Sequence, residues 1–556
     1  MINPQKIKVI MYNRILYIAF SVVFTFIYQT SYGQVTDTIK PDLNFNQVEV
    51  VKSFEANLIE AKIQNVNPIQ PKQEDYAPKF KYDITIVPLA LKYPDPQIKP
   101  LAMNSDGPFV VKNGFLDASY AYLVNPRVHT GYSISKKDEF NVGGTFFFES
   151  LDNSKQNSLQ KYLDGNVAVF GSKLVKENTE LFATLGGDYR ARNLYQVYDF
   201  EKYQDQTAKR SLLHMDAKAG IKNVESTNSG WNYETFVKLD NLVSTNTKAD
   251  EIGFQTQGYL GKNIGEKSSL GLNASYDYIH QNVDTTRSIS VIDATAKFRS
   301  AIGKLFFTIG GDIIYTNGKS SIFPHANFEY SLIQHTLQVF AGVKQNKFVN
   351  SLNNLSMPNP YFIPDNSALL ASITQTYFGG IRGNYDFLKY EGQVGFKSIQ
   401  DAALYDINAV DTRFYNVIYD DMHVFFIGGS IDFSFNEQMS LGGNFQQNIY
   451  DPKTESHAWY LPLIDLSSYF KWRLLENKLL FQADLYFATP SKYRDELGNI
   501  GNNTLRSELG MNLKYKFSDA FSAYIKAQNL LNNGYERFYG YPIAGTNFGA
   551  GIRVLF

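Results

Sequence analysis

The chain has 556 residues, of which 44% are hydrophobic and 15% aromatic, with 42 Phe and 38 Tyr but no cysteine. The lack of cysteine excludes disulfides, thiolate zinc sites, a cysteine nucleophile and a lipid-anchored N-terminal cysteine. Lys and Arg total 53 against 54 Asp and Glu, so the net charge of −1 does not favour a nucleic-acid partner.

The N-terminus has the features of an export signal. Lys6 and Arg14 belong to a basic start, and residues 15–28 form an apolar run typical of a signal-peptide core. This run is too short to span a membrane as a helix. Small residues before Gln34 offer a cleavage point, so we expect residues 1–33 to be a signal peptide. A buried N-terminal helix is the alternative.

Residues 34–106 are predicted to be an extended periplasmic or plug-like segment. Seven prolines lie between residues 68 and 100, where only residues 82–91 resemble a strand. Because proline cannot donate to a strand ladder, a compact plug is not expected. A segment that threads or caps a lumen fits better.

Residues 107–556 are predicted to form a β-barrel because apolar and polar residues alternate along them. Between Leu505 and Phe517 the odd positions are mainly apolar, whereas the even positions are mainly charged or polar. A period of two indicates strands that lie between two different environments. No later stretch approaches 18 apolar residues, which excludes a helical membrane protein.

The connections distinguish a membrane barrel from a soluble sandwich. Short turns such as residues 303–304 alternate with long connections such as residues 489–504 and 532–546. This sorting is typical of outer-membrane barrels. Since lipid cannot satisfy the backbone groups of an edge strand, the sheet must close on itself. We therefore expect an all-β, transmembrane, antiparallel barrel of about 22 strands, to within two.

Two segments resemble a known family. Residues 528–536 (QNLLNNGYE) and 540–548 (GYPIAGTNF) resemble the last strands and last loop of TonB-dependent outer-membrane receptors. Residues 48–63 and Pro68 resemble the start of a short, plug-reduced, Bacteroidetes-type group of these proteins. Thr546 departs from the family, which often has an arginine there.

The resemblance implies an outer-membrane barrel for solute uptake or passage, surrounded by outer-membrane lipid. It also implies barrel-assembly machinery that reads the C-terminal Phe556, and TonB or other envelope proteins as candidate partners. Strand addition to a coupling partner would use the segment Val48, Glu49, Val50 and Val51. An ordinary strand or linker is the alternative interpretation of this segment.

Polar and aromatic side chains supply the candidate functional residues. Those predicted to face the lumen are mixed in charge and comprise Lys218, Asp484, Arg506, Glu508, Lys514, Lys516 and Arg553. Aromatic residues in the outer connections either belong to the interfacial girdle or recognise a ligand or partner. They are Tyr198, Tyr203, Trp459, Phe538 and Tyr541.

Enzymatic and metal chemistry receive little support. The seven histidines lack the spacing of a metal site, and no nucleotide-binding loop or nucleophile elbow is present. We therefore predict a non-enzyme without cofactors. Three weak candidates are a ligand pair of His214 and Asp216, a rim site at His457 and a calcium loop around Asp495 and Asn499.

Two hypotheses about the function remain. The first is a TonB-dependent-receptor-like barrel that moves or admits a solute. The second is a non-transporting barrel that serves as an accessory subunit of an envelope or surface complex. Conductance and co-purifying proteins would distinguish them.

Overall fold

The computed structural model describes residues 112–556, apart from 138, 155–158, 177, 196–208, 228, 246–248, 284, 317, 335 and 365–367. The predicted signal peptide, the segment 34–106 and the coupling segment Val48 to Val51 lie outside the described residues. Their boundaries and roles stay predictions.

The described chain is almost entirely β-structure, with 22 long strands and four short ones in connections. The 22 strands are β1 (Gly114–Ala121), β2 (Arg127–Lys136), β3 (Phe140–Asp152), β4 (Lys161–Lys176), β5 (Thr179–Asn193), β6 (Lys209–Asn223), β7 (Trp231–Ser244), β8 (Asp250–Ile264), β9 (Ser268–Asn282), β10 (Thr286–Ile302), β11 (Leu305–Thr316), β12 (Lys319–Ile333), β13 (Leu337–Val349), β14 (Ala371–Tyr385), β15 (Leu388–Ile407), β16 (Tyr415–Ser434), β17 (Met439–Pro452), β18 (Ile464–Leu474), β19 (Leu479–Ala488), β22 (Arg506–Lys516), β23 (Phe521–Gln528) and β26 (Asn547–Leu555). The short elements are α1 (Leu352–Ser356), β20 (Lys492–Arg494), β21 (Ile500–Asn502), β24 (Glu536–Phe538) and β25 (Tyr541–Pro542).

The 22 strands form one closed antiparallel sheet, because β1 pairs with β2 on one side and with β26 on the other. At this seam Gly114 N donates to Phe556 O over 2.8 Å, and Phe556 N donates to Gly114 O over 2.9 Å. The predicted fold class and strand number are confirmed. In the described part of the chain, no helix is long and apolar enough to cross a membrane.

The alternation in sequence becomes two different faces of the wall. In β11, Ile313 and Tyr315 are 51% and 42% exposed, whereas Asp312 and Ile314 are 2% and 0% exposed. Successive side chains of a strand point to opposite faces, so the exposed apolar residues form the outer surface. A mean hydropathy of −0.27 fits this arrangement, since only every second side chain faces outward.

A contact across the interior identifies the inner face. Lys347 Nζ on β13 lies 2.7 Å from Asp277 Oδ2 on β9 and 3.8 Å from Asp293 Oδ2 on β10. Because β9 and β13 are separated by three strands in the sheet, a side chain can join them only through the concave side. The buried polar residues therefore line the lumen.

The two ends of the barrel differ as the sequence predicts. The end that carries Gly114 and Phe556 has short turns, at residues 137–139, 177–178, 224–230, 265–267, 303–304, 334–336, 386–387, 435–438, 475–478 and 517–520. The opposite end, here called the loop end, carries the long connections 153–160, 194–208, 350–370, 453–463, 489–505 and 529–546. The loop-end turns 283–285 and 317–318 are as short as those at the other end, so the long connections are not spread evenly.

Candidate functional site

The long connections pack against one another at the loop end and bury a cluster of aromatic side chains. We call this cluster the loop cap, and every member is at most 8% exposed. Its aromatic members are Tyr195, Tyr361, Tyr415, Tyr450, Trp459, Tyr460, Phe538 and Tyr541. Burial of this much aromatic surface stabilises the arrangement of the connections.

Three tyrosines from well-separated parts of the wall meet within the cap. Tyr195 follows β5, Tyr361 lies between β13 and β14, and Tyr541 lies between β23 and β26. The rings of Tyr361 and Tyr541 are 3.5 Å apart, and the ring of Tyr195 lies 5.0 Å from Tyr541 and 6.4 Å from Tyr361. Connections from three sectors of the barrel therefore meet over its loop end.

Hydrogen bonds fix the orientation of these rings. The hydroxyl of Tyr195 donates to Pro542 O over 2.9 Å, and that of Tyr541 donates to Arg413 O over 2.6 Å. Burial raises the pKa of the Tyr361 hydroxyl well above its ordinary value, so this ring stays neutral. Each bond joins two different connections, so the cap is cross-linked by polar as well as apolar contacts.

One connection turns into the barrel. We call residues 350–364 the inward segment; it contains α1, whose N-cap Ser351 accepts from Asn354 N over 3.1 Å. The Glu251 carboxylate on β8 accepts from the backbone N–H of Leu352 over 2.5 Å and from that of Asn353 over 3.3 Å. A carboxylate at a helix start satisfies backbone donors that the helix leaves unpaired. Glu251 thereby holds the segment against the inner wall.

Arginines on two strands hold the same segment from another side. Arg210 Nη1 on β6 donates to Pro360 O over 3.0 Å, and its Nη2 donates to Ser356 Oγ over 3.3 Å. Arg190 Nη2 on β5 donates to Asn353 Oδ1. The inward segment is thus anchored to β5, β6 and β8, which lie several strands away from β13 and β14 around the wall.

The aromatic candidates from the sequence divide into two groups. Trp459, Phe538 and Tyr541 are buried members of the loop cap, so a ligand that approaches this conformation from outside does not reach their ring faces. Trp459 Nε1 donates to Glu455 Oε2 over 2.9 Å. Tyr198 and Tyr203 lie outside the described residues.

Two of the charged candidates support the cap. Arg506 is 5% exposed, and its Nη2 donates to Tyr460 O over 3.3 Å and to Ser491 Oγ over 3.0 Å. Glu508, on the same face of β22, lies close enough to Tyr535 to interact with it. Both side chains therefore contact loop-end residues rather than an open channel.

The other charged candidates lie along the strands below. Lys218 Nζ is 3.8 Å from the centroid of the Phe236 ring, and Asp484 accepts from Gln482 Nε2 over 2.9 Å. In the sheet register, Arg553 is opposite Asp117 and Ser522, and Lys514 is opposite Leu480 and Tyr524. Lys516 forms an ion pair of 2.6 Å with Asp519 at the short-turn end. These residues do not converge on one point.

His214 has partners other than the one considered from the sequence. Its Nδ1 lies 2.8 Å from Asp188 Oδ1 and its Nε2 lies 3.4 Å from Asp240 Oδ1, on the strands to either side. Alternation along β6 could suggest Asp216 but not these neighbours, because register is needed to find them. No group of three side chains suited to a metal ion occurs within residues 112–556 as described.

The calcium-loop residues are engaged in their own turn. Asp495 Oδ1 accepts from Leu497 N over 3.0 Å and from Asn499 N over 2.8 Å, while Oδ2 accepts from Asn499 Nδ2 over 3.0 Å. His457 Nδ1 lies 3.0 Å from Ser456 Oγ. Both groups are ordinary loop contacts in this structure.

Comparison with known proteins gives similarity in fold. No protein-family model matches the chain, and no curated protein sequence matches it. Among solved structures, the ferric enterobactin receptor PfeA from Pseudomonas aeruginosa superposes with a TM-score of 0.62 at 11% identity, covering 80% of each chain. The siderophore receptor PirA from Acinetobacter baumannii gives 0.63 at 11%, again over 80% of each chain. The FpvAI–pyocin S2 complex gives 0.61 at 12%, over 80% of this chain and 73% of that one.

The fold and the site together define a class. The chain is a closed 22-stranded barrel with the fold of these receptors, and its loop end is covered by packed connections. At identities near a tenth, the comparison reaches no further than the fold.

Proposed function

We propose that this chain is an outer-membrane, TonB-dependent-receptor-like barrel that admits a solute, and that the loop cap closes its mouth until a ligand displaces the cap. The observation that carries the proposal is the closed barrel whose loop end is covered by connections from three sectors. An exposed apolar outer face supports the placement in lipid. Because the structural neighbours are siderophore receptors, ferric siderophores are the first ligands to test.

Energy coupling is part of the same proposal. Export by the signal peptide would place residues 34–106 in the periplasm, and Val48 to Val51 would pair with TonB by strand addition. Deletion of residues 48–51 should then abolish energy-dependent uptake while leaving the amount of barrel in the outer membrane unchanged. Equal uptake by the deletion variant would show that this segment does not couple the barrel to TonB.

Conductance tests the cap itself. The test uses two forms that both lack residues 34–106, because that segment is itself predicted to thread or cap the lumen. One form is otherwise intact, and in the other residues 352–362 are replaced by a flexible Gly-Ser linker. In planar lipid bilayers the first form should be nearly silent, whereas the linker variant should show discrete openings, because the inward segment no longer fills the mouth. A matched control replaces the turn 224–230 in the same background and should stay silent.

The packing of the cap also favours a second candidate function. Tyr415 and Trp459 are 0% and 1% exposed, which is the packing of a permanent core. A non-transporting accessory barrel in an envelope complex would have such a mouth. Two results would favour this second function over the first. The form with the intact inward segment and the linker variant would both be silent in bilayers, and other envelope proteins would be recovered with the full chain from membranes.

A further inference from the structure

Three arginines surround a small cavity between the inner wall and the inward segment. Arg190 and Arg192 come from β5 and Arg210 from β6, and the opposite side is formed by Ser356, Met357 and Pro360. The cavity volume is about 50 Å³. That is room for several water molecules or for one small oxyanion group.

Among the described residues, the positive charge at this cavity exceeds the negative charge. Arg192 is held by Asp164 in a two-pronged pair, with Nη1–Oδ1 and Nη2–Oδ2 distances of 2.7 and 2.8 Å. Arg190 pairs with Asp188, whose other oxygen is taken by His214. Arg210 has no carboxylate partner among the described residues. Within the described part of the chain, three guanidinium groups thus face two carboxylates.

Arg210 gives the strongest indication that the cavity binds an anion. It is 1% exposed, and its two hydrogen bonds go to the neutral oxygens of Pro360 and Ser356. Its Nε–H and the Nη1 donors of Arg190 are buried and have no acceptor in the described part of the protein. Buried charges are normally paired, and buried donors are normally satisfied, so such a pair of guanidinium groups points to an anionic acceptor.

We propose that this cavity is a binding site for one oxyanion group, a carboxylate or a phosphate, held between Arg190 and Arg210. The planar fork of an arginine matches the oxygen spacing of both groups. All three guanidinium groups lie on the inner face, where membrane lipid does not reach, so the anion comes from the aqueous phase. The site does not depend on whether the barrel conducts.

The bound anion would also stabilise the inward segment. Arg210 donates to that segment at two points, and Arg190 donates to Asn353 within it. A bound anion would neutralise the positive charge of the arginines and so reduce the repulsion between them, while both arginines keep their hydrogen bonds to the inward segment. Anion binding and retention of the segment should be coupled.

Equilibrium dialysis with radiolabelled inorganic phosphate tests the proposal on the purified full-length barrel in detergent. The wild-type protein should bind about one phosphate, with competition by acetate and none by an equal ionic strength of chloride. Arg210→Gln and Arg190→Gln should each raise the Kd at least ten-fold, which corresponds to about 1.4 kcal/mol. Glycerol 3-phosphate in parallel shows whether the site takes a phosphate carried on a solute or only the free ion.

Arg382→Gln is the matched control. Arg382 also lies on the inner face, but it is paired with Glu329 at 2.5 Å and hydrogen-bonded to Gln338, far from the cavity. Its replacement should leave phosphate binding unchanged. Heat-modifiable migration in gels establishes that each variant is folded, and Arg190→Gln serves if Arg210→Gln does not fold. The proposal is overturned if the wild-type barrel binds no phosphate, or if a folded cavity variant binds it as tightly as the wild type.

Discussion

The rings of Tyr361 and Tyr541 stack with their centroids 3.5 Å apart and an angle of 17° between their planes. One residue lies between β13 and β14 and the other between β23 and β26, so the stack joins two distant connections. Tyr195 completes the contact with an edge-on ring 5.0 Å from Tyr541. The mouth of this barrel is therefore covered by contacts between connections and not by one long loop alone.

Replacing Tyr361 or Tyr541 with Ala should destabilise the folded barrel by about 3–5 kcal/mol, the usual cost of removing a buried aromatic side chain. The double variant should lose less than the sum of the two, since each ring is the partner of the other. Urea unfolding in lipid vesicles measures the change. Leu497→Ala is the control, because Leu497 is 79% exposed in the connection 489–505, and its effect should be small. Strict additivity of the two cap substitutions would show that the stack contributes no coupling energy.

Deletion of Phe556 should reduce assembly of new barrels without unfolding those already inserted. Phe556 contributes two backbone hydrogen bonds to Gly114 and a ring stacked on Tyr132 at 6.2 Å. Two such bonds contribute about 0.5–1.5 kcal/mol each, which is small beside a closed sheet of 22 strands. Outer-membrane levels of heat-modifiable protein measure assembly. Phe517→Ala, which alters an exposed aromatic at the same end, is the control, and normal levels of the deletion variant would contradict the prediction.

Much of the wall could be predicted from the sequence, because alternation and connection length are local properties. Local sequence patterns predict where the strands end. They identify the short turns at 303–304 and 475–478 and the long connections that the structure places at 489–505 and 529–546. The strand number follows from counting such segments. Closure of the sheet follows from the cost of an unpaired edge in lipid.

The loop cap could not be predicted in the same way. The alternation of apolar and polar residues ends before Trp459 and Tyr541, which places both residues in connections. It does not show which connections contact one another. Tyr361 was not identified as a candidate, although apolar Leu352 and Leu355 in the same long connection are a signal that the segment is buried. The partners of Arg210 are likewise found only when residues 350–364 are placed against β6.

Asp495→Ala should make the connection 489–505 more sensitive to protease at neutral pH, and calcium should not protect it. Burial raises the pKa of the Asp495 carboxyl, but hydrogen bonds from Asn499 and Leu497 lower it by more, so the pKa lies below its ordinary value. This stabilisation is fully present above the ordinary carboxyl pKa and is lost as the pH falls through the lower folded value. These hydrogen bonds should therefore hold the turn at neutral pH.

Limited proteolysis with and without calcium provides the measurement for Asp495. Glu496→Ala is the matched control, since the described structure gives Glu496 no hydrogen bond, and its cleavage rate should equal that of the wild type. Protection of the wild-type loop by calcium would instead support the calcium-site interpretation of these residues.

Cysteine labelling can test the inward segment with little background, because the chain has no native cysteine. A cysteine at Leu352, which is 0% exposed, should react slowly with a membrane-impermeant maleimide, whereas one at Val410, which is 89% exposed, should react at once. Adding Glu251→Ala to the Leu352→Cys variant removes the acceptor for two backbone donors of α1. Because hydrogen bonds to a charged group contribute about 1.5–3 kcal/mol, labelling should accelerate at least ten-fold. Glu234 is an exposed carboxylate on β7, and Glu234→Ala should leave the labelling rate of the Leu352→Cys variant unchanged. If the Leu352→Cys variant is labelled at the same rate alone, with Glu251→Ala and with Glu234→Ala, Glu251 does not hold the segment in place.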